Sequence, residues 1–196
     1  MGPSLSRGNS QGGSAFGAAT PFLSMDKAWV LIGMMGAGKS SVGRLLADAT
    51  DRPFIDTDLL LQQRLGRPIP QIFQVYGEEA FRDHETNILR SLEIGPSVIS
   101  TGGGIVIRPE NWDEMRRLGT TIYLRAPIEV LFERLETSKK KRPLLQSDDW
   151  KERLATLLEV RSPLYEQADL IIDVGDGDID AGVARLADLL LRPVES

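Results

Sequence analysis

The octapeptide GMMGAGKS, Gly33 to Ser40, constrains this chain more than any other stretch. It follows the apolar run Ala28–Ile32 and precedes a segment of helical periodicity. It fits the phosphate-loop pattern G-x-x-x-x-G-K-[ST] at every fixed position. Gly33, Gly36 and Gly38 let the backbone curl so that successive N–H groups face phosphate oxygens. A helix starting near Gly38 would add its positive N-terminus. Lys39 is then placed to reach the β- and γ-phosphates of a nucleotide, and the Ser40 hydroxyl to ligate Mg²⁺. The remaining question is where the phosphoryl group goes.

Beyond Lys27, apolar runs alternate with helical stretches. The segments 28–33, 53–58, 97–104, 120–125 and 169–174 read as short buried strands. Pro109 and Pro127 suit first turns of helices, and Gly119 closes the helix that begins after Pro109. Strands alternating with helices predict an α/β fold, a parallel sheet covered on both faces. Ligands of such sheets gather at the carboxyl ends of the strands. The polar and glycine-rich stretches GMMGAGKS, DTD and TGGG all fall there.

The 41% hydrophobic and 26% charged content suits one globular domain, and a net charge of -5 argues against a broad nucleic-acid surface. There is no cysteine, which excludes disulfides and thiol chemistry, and no apolar run long enough to span a bilayer. The expectation is a cytoplasmic protein that binds neither nucleic acid nor membrane. Residues 1–24 are rich in Gly and Ser without periodicity, and read as a disordered or appended leader to a domain spanning 25–196.

Other users of the phosphate loop fit poorly. None of Asn9, Asn87 and Asn111 is followed by Lys, so the N-K-x-D element of switch GTPases is missing. Asp173 ends an apolar run as in motor ATPases, but no Glu follows it and its late position suggests an edge strand. Small-molecule kinases remain.

Several residues can serve an acceptor. Asp56 and Asp58 end the run FIDTD, and in extended chain both carboxylates would point the same way. One could hold Mg²⁺ through water, and the other could receive an acceptor hydroxyl's hydrogen bond or proton. Asp58 reads equally well as a helix cap. Arg82, taken alone, is a surface helix pair with Glu78 and Glu85. Arg161 continues the helical spacing of Leu154, Leu157 and Leu158, and an inward arginine is costly unless it meets an anion. Pro163 is expected to break that helix and open space beside Arg161. Two arginines aimed at one carboxylate would recognise it by charge-assisted hydrogen bonds. Residues 101–104, TGGG, offer backbone N–H groups to an oxygen-rich acceptor, with a flexible loop as the alternative. The basic run 137–145 could close over the nucleotide as a lid, with Arg142 touching the transferring group, or could simply be solvated.

Taken in order, GMMGAGKS, FIDTD, GEEAFRDHE, STGGG, KRPLL and VRSPLY resemble the shikimate kinase family, over about Trp29 to Leu191. The resemblance implies a P-loop NTPase of the nucleoside-monophosphate-kinase type, a three-layer sandwich with a lid and a five-stranded parallel sheet in the order 2-3-1-4-5. It implies phosphorylation of the shikimate 3-hydroxyl by ATP with Mg²⁺, a step toward aromatic amino acids. A monomer is expected by default, because no long exposed apolar stripe suggests a partner. Carried over by motif, ATP lies on Gly36, Ala37, Gly38, Lys39, Ser40 and Ser41, with Arg134 against the adenine. Ser40 holds Mg²⁺ and Asp56 contacts it through water. Asp58 binds the hydroxyls and is the candidate base, Arg82 and Arg161 take the carboxylate, and Gly103 and Gly104 line the site. Lys39 and Arg142 stabilise charge on the γ-phosphoryl group. A sugar-acid kinase such as gluconate kinase is the rival enzyme, and an ATP-binding domain without transfer is the rival of another class. The single histidine, His84, reads as a helix-surface residue.

Overall fold

The computed structural model describes residues 26–138, 149–175 and 179–191. The expectations for the leader, Lys139 to Lys141 and Arg142 fall outside them. β1 (Ala28–Ile32) is buried along its whole length, because its neighbours pair with it on both sides. The parallel sheet runs β2 (Phe54–Asp56), β3 (Val98–Ser100), β1, β4 (Gly119–Arg125), β5 (Leu170–Asp173), the expected order. Register pairs Val30 with Ile99 on one side and Thr121 on the other. This places the carboxyl ends of β1, β2 and β3 side by side.

Helices cover both faces. α1 (Lys39–Ala49) lays Val42, Gly43, Leu46 and Ala47 on the sheet, a stripe at helical spacing. Gly43 is required there, since a Cβ would lie 2.6 Å from a Phe54 ring carbon. α7 (Ile179–Leu191) packs beside α1. α4 (Pro109–Leu118) begins on its proline, ends on Arg116 and Arg117, and buries Trp112, Met115 and Leu118. α5 (Ile128–Glu136) starts after Pro127, which stands just outside the first turn. Trp29, Leu31, Leu46, Ile99, Ile122 and Leu154 are among the residues of the main core. A second, smaller core of Leu61, Ile72, Phe81 and Ile88 joins α2 (Thr57–Leu65) to α3 (Ile69–Ser91). Gly77, at φ +78°, kinks α3. Among the described residues no helix is long and apolar enough to cross a membrane.

Two expectations need correction. β2 stops at Asp56, and Asp58 stands in the first turn of α2, so strand alternation does not relate the two carboxylates. The cap is Asp56, whose Oδ1 accepts from the N–H groups of Asp58 and Leu59 at 3.1 Å each. Pro163 does not break α6 (Trp150–Tyr165). It lies in the last turn, where the carbonyl it leaves without a partner belongs to exposed Glu159 and can turn to water. Strands β3 and β5 are also shorter than their apolar runs, the former giving way after Ser100 to the glycine segment.

Candidate active site

The phosphate loop leaves β1 through Gly33, Gly36 and Gly38, all at positive φ. At Gly33 a Cβ would meet the Leu124 carbonyl oxygen at 2.7 Å, so β4 itself enforces glycine. Lys39 is only 8% exposed, and its Nζ donates to the carbonyls of Gly33 (2.7 Å) and Met34 (3.0 Å). Its charge is thus held inside the loop that the motif assigns to phosphate. Arg134 reaches over the same loop from α5, donating to Ala37 O (3.4 Å) and Gly175 O (2.6 Å). Ser41 is exposed on the first turn of α1.

Ser40 Oγ donates to Asp56 Oδ2 at 2.8 Å and lies 3.3 Å from Ser100 Oγ. One Asp56 oxygen therefore faces the loop serine while the other caps α2. This set of hydroxyl and carboxylate oxygens suits Mg²⁺, which takes few protein ligands and keeps several waters. Among the described residues no cluster of three or more His, Asp or Glu could cage an ion alone.

The Gly102–Gly104 segment organises the other half of the site. A Cβ on Gly102 would fall 2.6 Å from Glu85 Oε1 and 2.9 Å from Asp58 Oδ1, so two carboxylates converge there. A Cβ on Gly104 would collide with the Arg82 guanidinium. Arg161 Nη1 approaches Gly103 O at 3.4 Å. Arg82 and Arg161 are 7% and 5% exposed, although α3 and α6 carry them from distant parts of the chain. Arg82 does pair with Glu78 (3.0 Å) and Glu85 (2.6 Å), but as a buried group against the glycines rather than as a surface pair. Burial works against its charge, and the two glutamates outweigh that, so its pKa is raised. Burial also drives the Glu85 carboxyl up to about 7, against the pull of Arg82 and with a push from Asp58.

Sequence reasoning undervalued Glu85 and Tyr165. Phe81, Arg82, Glu85, Ile88 and Leu89 share one buried face of α3, and that spacing was the available signal. Tyr165, fully buried, donates from its hydroxyl to Gly103 O at 2.5 Å. Asp173 is a strand-end residue on the edge strand, ion-paired with Arg125. His84 is half-buried on α3, edge-on to Tyr76.

A phosphate loop after the central strand of a sheet in this order defines a P-loop kinase of the nucleoside-monophosphate-kinase type. The family model for shikimate kinase matches residues 35–190. The shikimate kinase of Burkholderia lata is 42% identical over 84% of this chain and 94% of its own length. That of a Synechococcus species is 48% identical over 83% and 86%. Among solved structures, shikimate kinase from Acinetobacter baumannii in complex with shikimate superposes with a TM-score of 0.80 at 35% identity, covering 84% of this chain and 93% of that one. The chain belongs to the shikimate kinase family.

Proposed function

We propose that this family member transfers the γ-phosphoryl group of MgATP to the 3-hydroxyl of shikimate, giving shikimate 3-phosphate and ADP on the route to chorismate and the aromatic amino acids. The observation that carries the acceptor assignment is the pair of buried arginines, Arg82 and Arg161, brought against one glycine segment beside Asp58. Glu78 and Glu85 balance Arg82, whereas buried Arg161 ion-pairs with no carboxylate among the described residues, and a ring carboxylate would answer its charge.

Arg82 and Arg161 bind and orient that carboxylate, with Gly103 and Gly104 lining the ring. This orientation turns a hydroxyl toward Asp58, which accepts its hydrogen bond and takes or guides its proton as the oxygen attacks phosphorus. Asp58 is half-buried in the first turn of α2, facing the Gly102 segment. Lys39 shifts from its loop carbonyls to the phosphates, and the backbone of Gly36, Ala37, Gly38 and Ser41 cradles them. Arg134 packs along the adenine side. Mg²⁺, on Ser40 and through water on Asp56, would neutralise charge on the β- and γ-oxygens. Arg142, whose role comes from the family resemblance, would stabilise the charge of the transferring group. The protein works as a monomer in the cytoplasm. In support, its exposed large apolar side chains are spread over α2, α3, α6, β5 and α7.

The test is ADP production from MgATP with no acceptor, with shikimate and with gluconate at equal concentrations. Turnover only with shikimate is the expected result. Preference for gluconate would make the protein a sugar-acid kinase, and no ADP despite intact ATP binding would make it a binding protein.

A further inference from the structure

We infer that Tyr165 is a positioning residue for the acceptor, its phenol fixing the Gly103–Gly104 peptide so that the Gly104 N–H is presented to the substrate carboxylate beside Arg82. The inference rests on the reading of Arg82 and Arg161 as the carboxylate's partners.

Glycine backbones are not oriented by their own sterics, so a peptide inside a three-glycine segment needs an outside clamp. Tyr165 supplies it. Its hydroxyl donates to Gly103 O at 2.5 Å, and Arg161, one helical turn earlier, reaches the same oxygen at 3.4 Å. All peptide bonds among the described residues are trans, and in a trans peptide the carbonyl and the following N–H point in opposite directions. With the Gly103 carbonyl drawn toward α6, the Gly104 N–H must face away from it. That residue lies directly against the Arg82 guanidinium, and its N–H donates to no acceptor among the described residues. An amide so placed, beside a buried arginine, is a ready donor to an anion.

The clamp is itself fixed. The Tyr165 ring stacks on Tyr123, with centroids 5.0 Å apart and planes 21° apart. Its hydroxyl also lies 3.6 Å from Met34 Sδ in the phosphate loop, and the Met35 backbone nitrogen stands 3.3 Å from where a Gly103 Cβ would be. The acceptor segment is therefore tied to the loop that holds the donor. Burial keeps the phenol protonated, so the donor does not titrate away in ordinary conditions.

Tyr165→Phe keeps the ring and its stack and removes only the hydroxyl. The expected result is a shikimate KM raised about tenfold, with the ATP KM and kcat changed by no more than about threefold. The discriminating arm uses an analogue of shikimate whose carboxylate is reduced to hydroxymethyl. With it, the variant should lose no more than about twofold relative to wild type, because the group served by the Gly104 N–H is gone. An equal loss with both acceptors, or an unchanged shikimate KM, would reduce Tyr165 to a packing residue. A second measurement needs no variant. The Gly104 amide resonance of the wild-type protein should move downfield on adding shikimate, and a resonance that stays put would overturn the inference even if Tyr165→Phe failed to fold. Wild-type protein inactive on shikimate would instead overturn the functional reading beneath it.

Discussion

Asp56 and Asp58 stand two residues apart and are committed to different tasks. Both oxygens of Asp56 are occupied, one by the start of α2 and one by Ser40. Asp58 faces the Gly102 segment, where the acceptor is expected. Asp58→Asn preserves shape and removes the charge. Turnover should fall by at least about 10²-fold, with ATP affinity by titration calorimetry unchanged. Near-normal turnover would remove Asp58 from the mechanism. Glu85 gives the site a pH dependence. With Glu85 neutral, the group of Arg82, Arg161, Asp58, Glu78 and Glu85 carries no net charge, and with Glu85 ionised it carries one negative charge. The shikimate KM should therefore rise several-fold as pH passes upward through about 7, and Glu85→Gln should flatten that rise. The same group affects stability. Its folded pKa lies above the ordinary 4.5, so its contribution is full below pH 4.5 and lost as pH rises toward 7, a slope that Glu85→Gln should also remove.

At the scale of elements, the site depends on how closely α1 approaches β1 and β2. A Cβ on Gly43 would sit 2.6 Å from Phe54 and 3.1 Å from Leu31 Cδ1. Gly43→Ala should cost about 1–3 kcal/mol, lower the thermal midpoint by several degrees, and leave the phosphate loop's chemistry intact in whatever protein remains folded. Element order and the positions of the motifs were legible because apolar runs alternate with helical stripes and end on glycine or acidic punctuation. The boundary at β2 was not, because FIDTD is consistent with either aspartate as cap, and only the bonds from Asp58 N and Leu59 N to Asp56 decide it. The path of α6 through Pro163 was hidden for a similar reason. Pro163 falls in the last turn of α6, and the carbonyl it orphans belongs to exposed Glu159, which can turn to water. Arg82 and Glu85 looked like surface partners because i,i+3 spacing does not reveal which face of α3 is covered. The covering element, the Gly102–Gly104 segment, comes from β3.

Across the whole molecule, the donor half rests on the main core, while the acceptor half spans both cores, with Tyr165 beside Arg161 in the main one. The phosphate loop is anchored in the main core through Met34 and Ala37, with Val42 of α1 in the same core. Asp58, Arg82 and Glu85 ride on α2 and α3, which also share the small cluster of Leu61, Ile72, Phe81 and Ile88. The two halves meet at the carboxyl ends of β1, β2 and β3, where Gly103 approaches Met35. Such an arrangement can bring a bound hydroxyl and a bound γ-phosphate into line and hold them there. The phosphoryl group is predicted to cross this junction to one particular hydroxyl of a ring carboxylate. Phosphorus and proton NMR of the product formed from MgATP and shikimate tests it most directly. A single new monoester is expected, its phosphorus coupled to the proton on carbon 3 and appearing one for one with ADP. A phosphate on another hydroxyl, or inorganic phosphate released with shikimate unchanged, would contradict it.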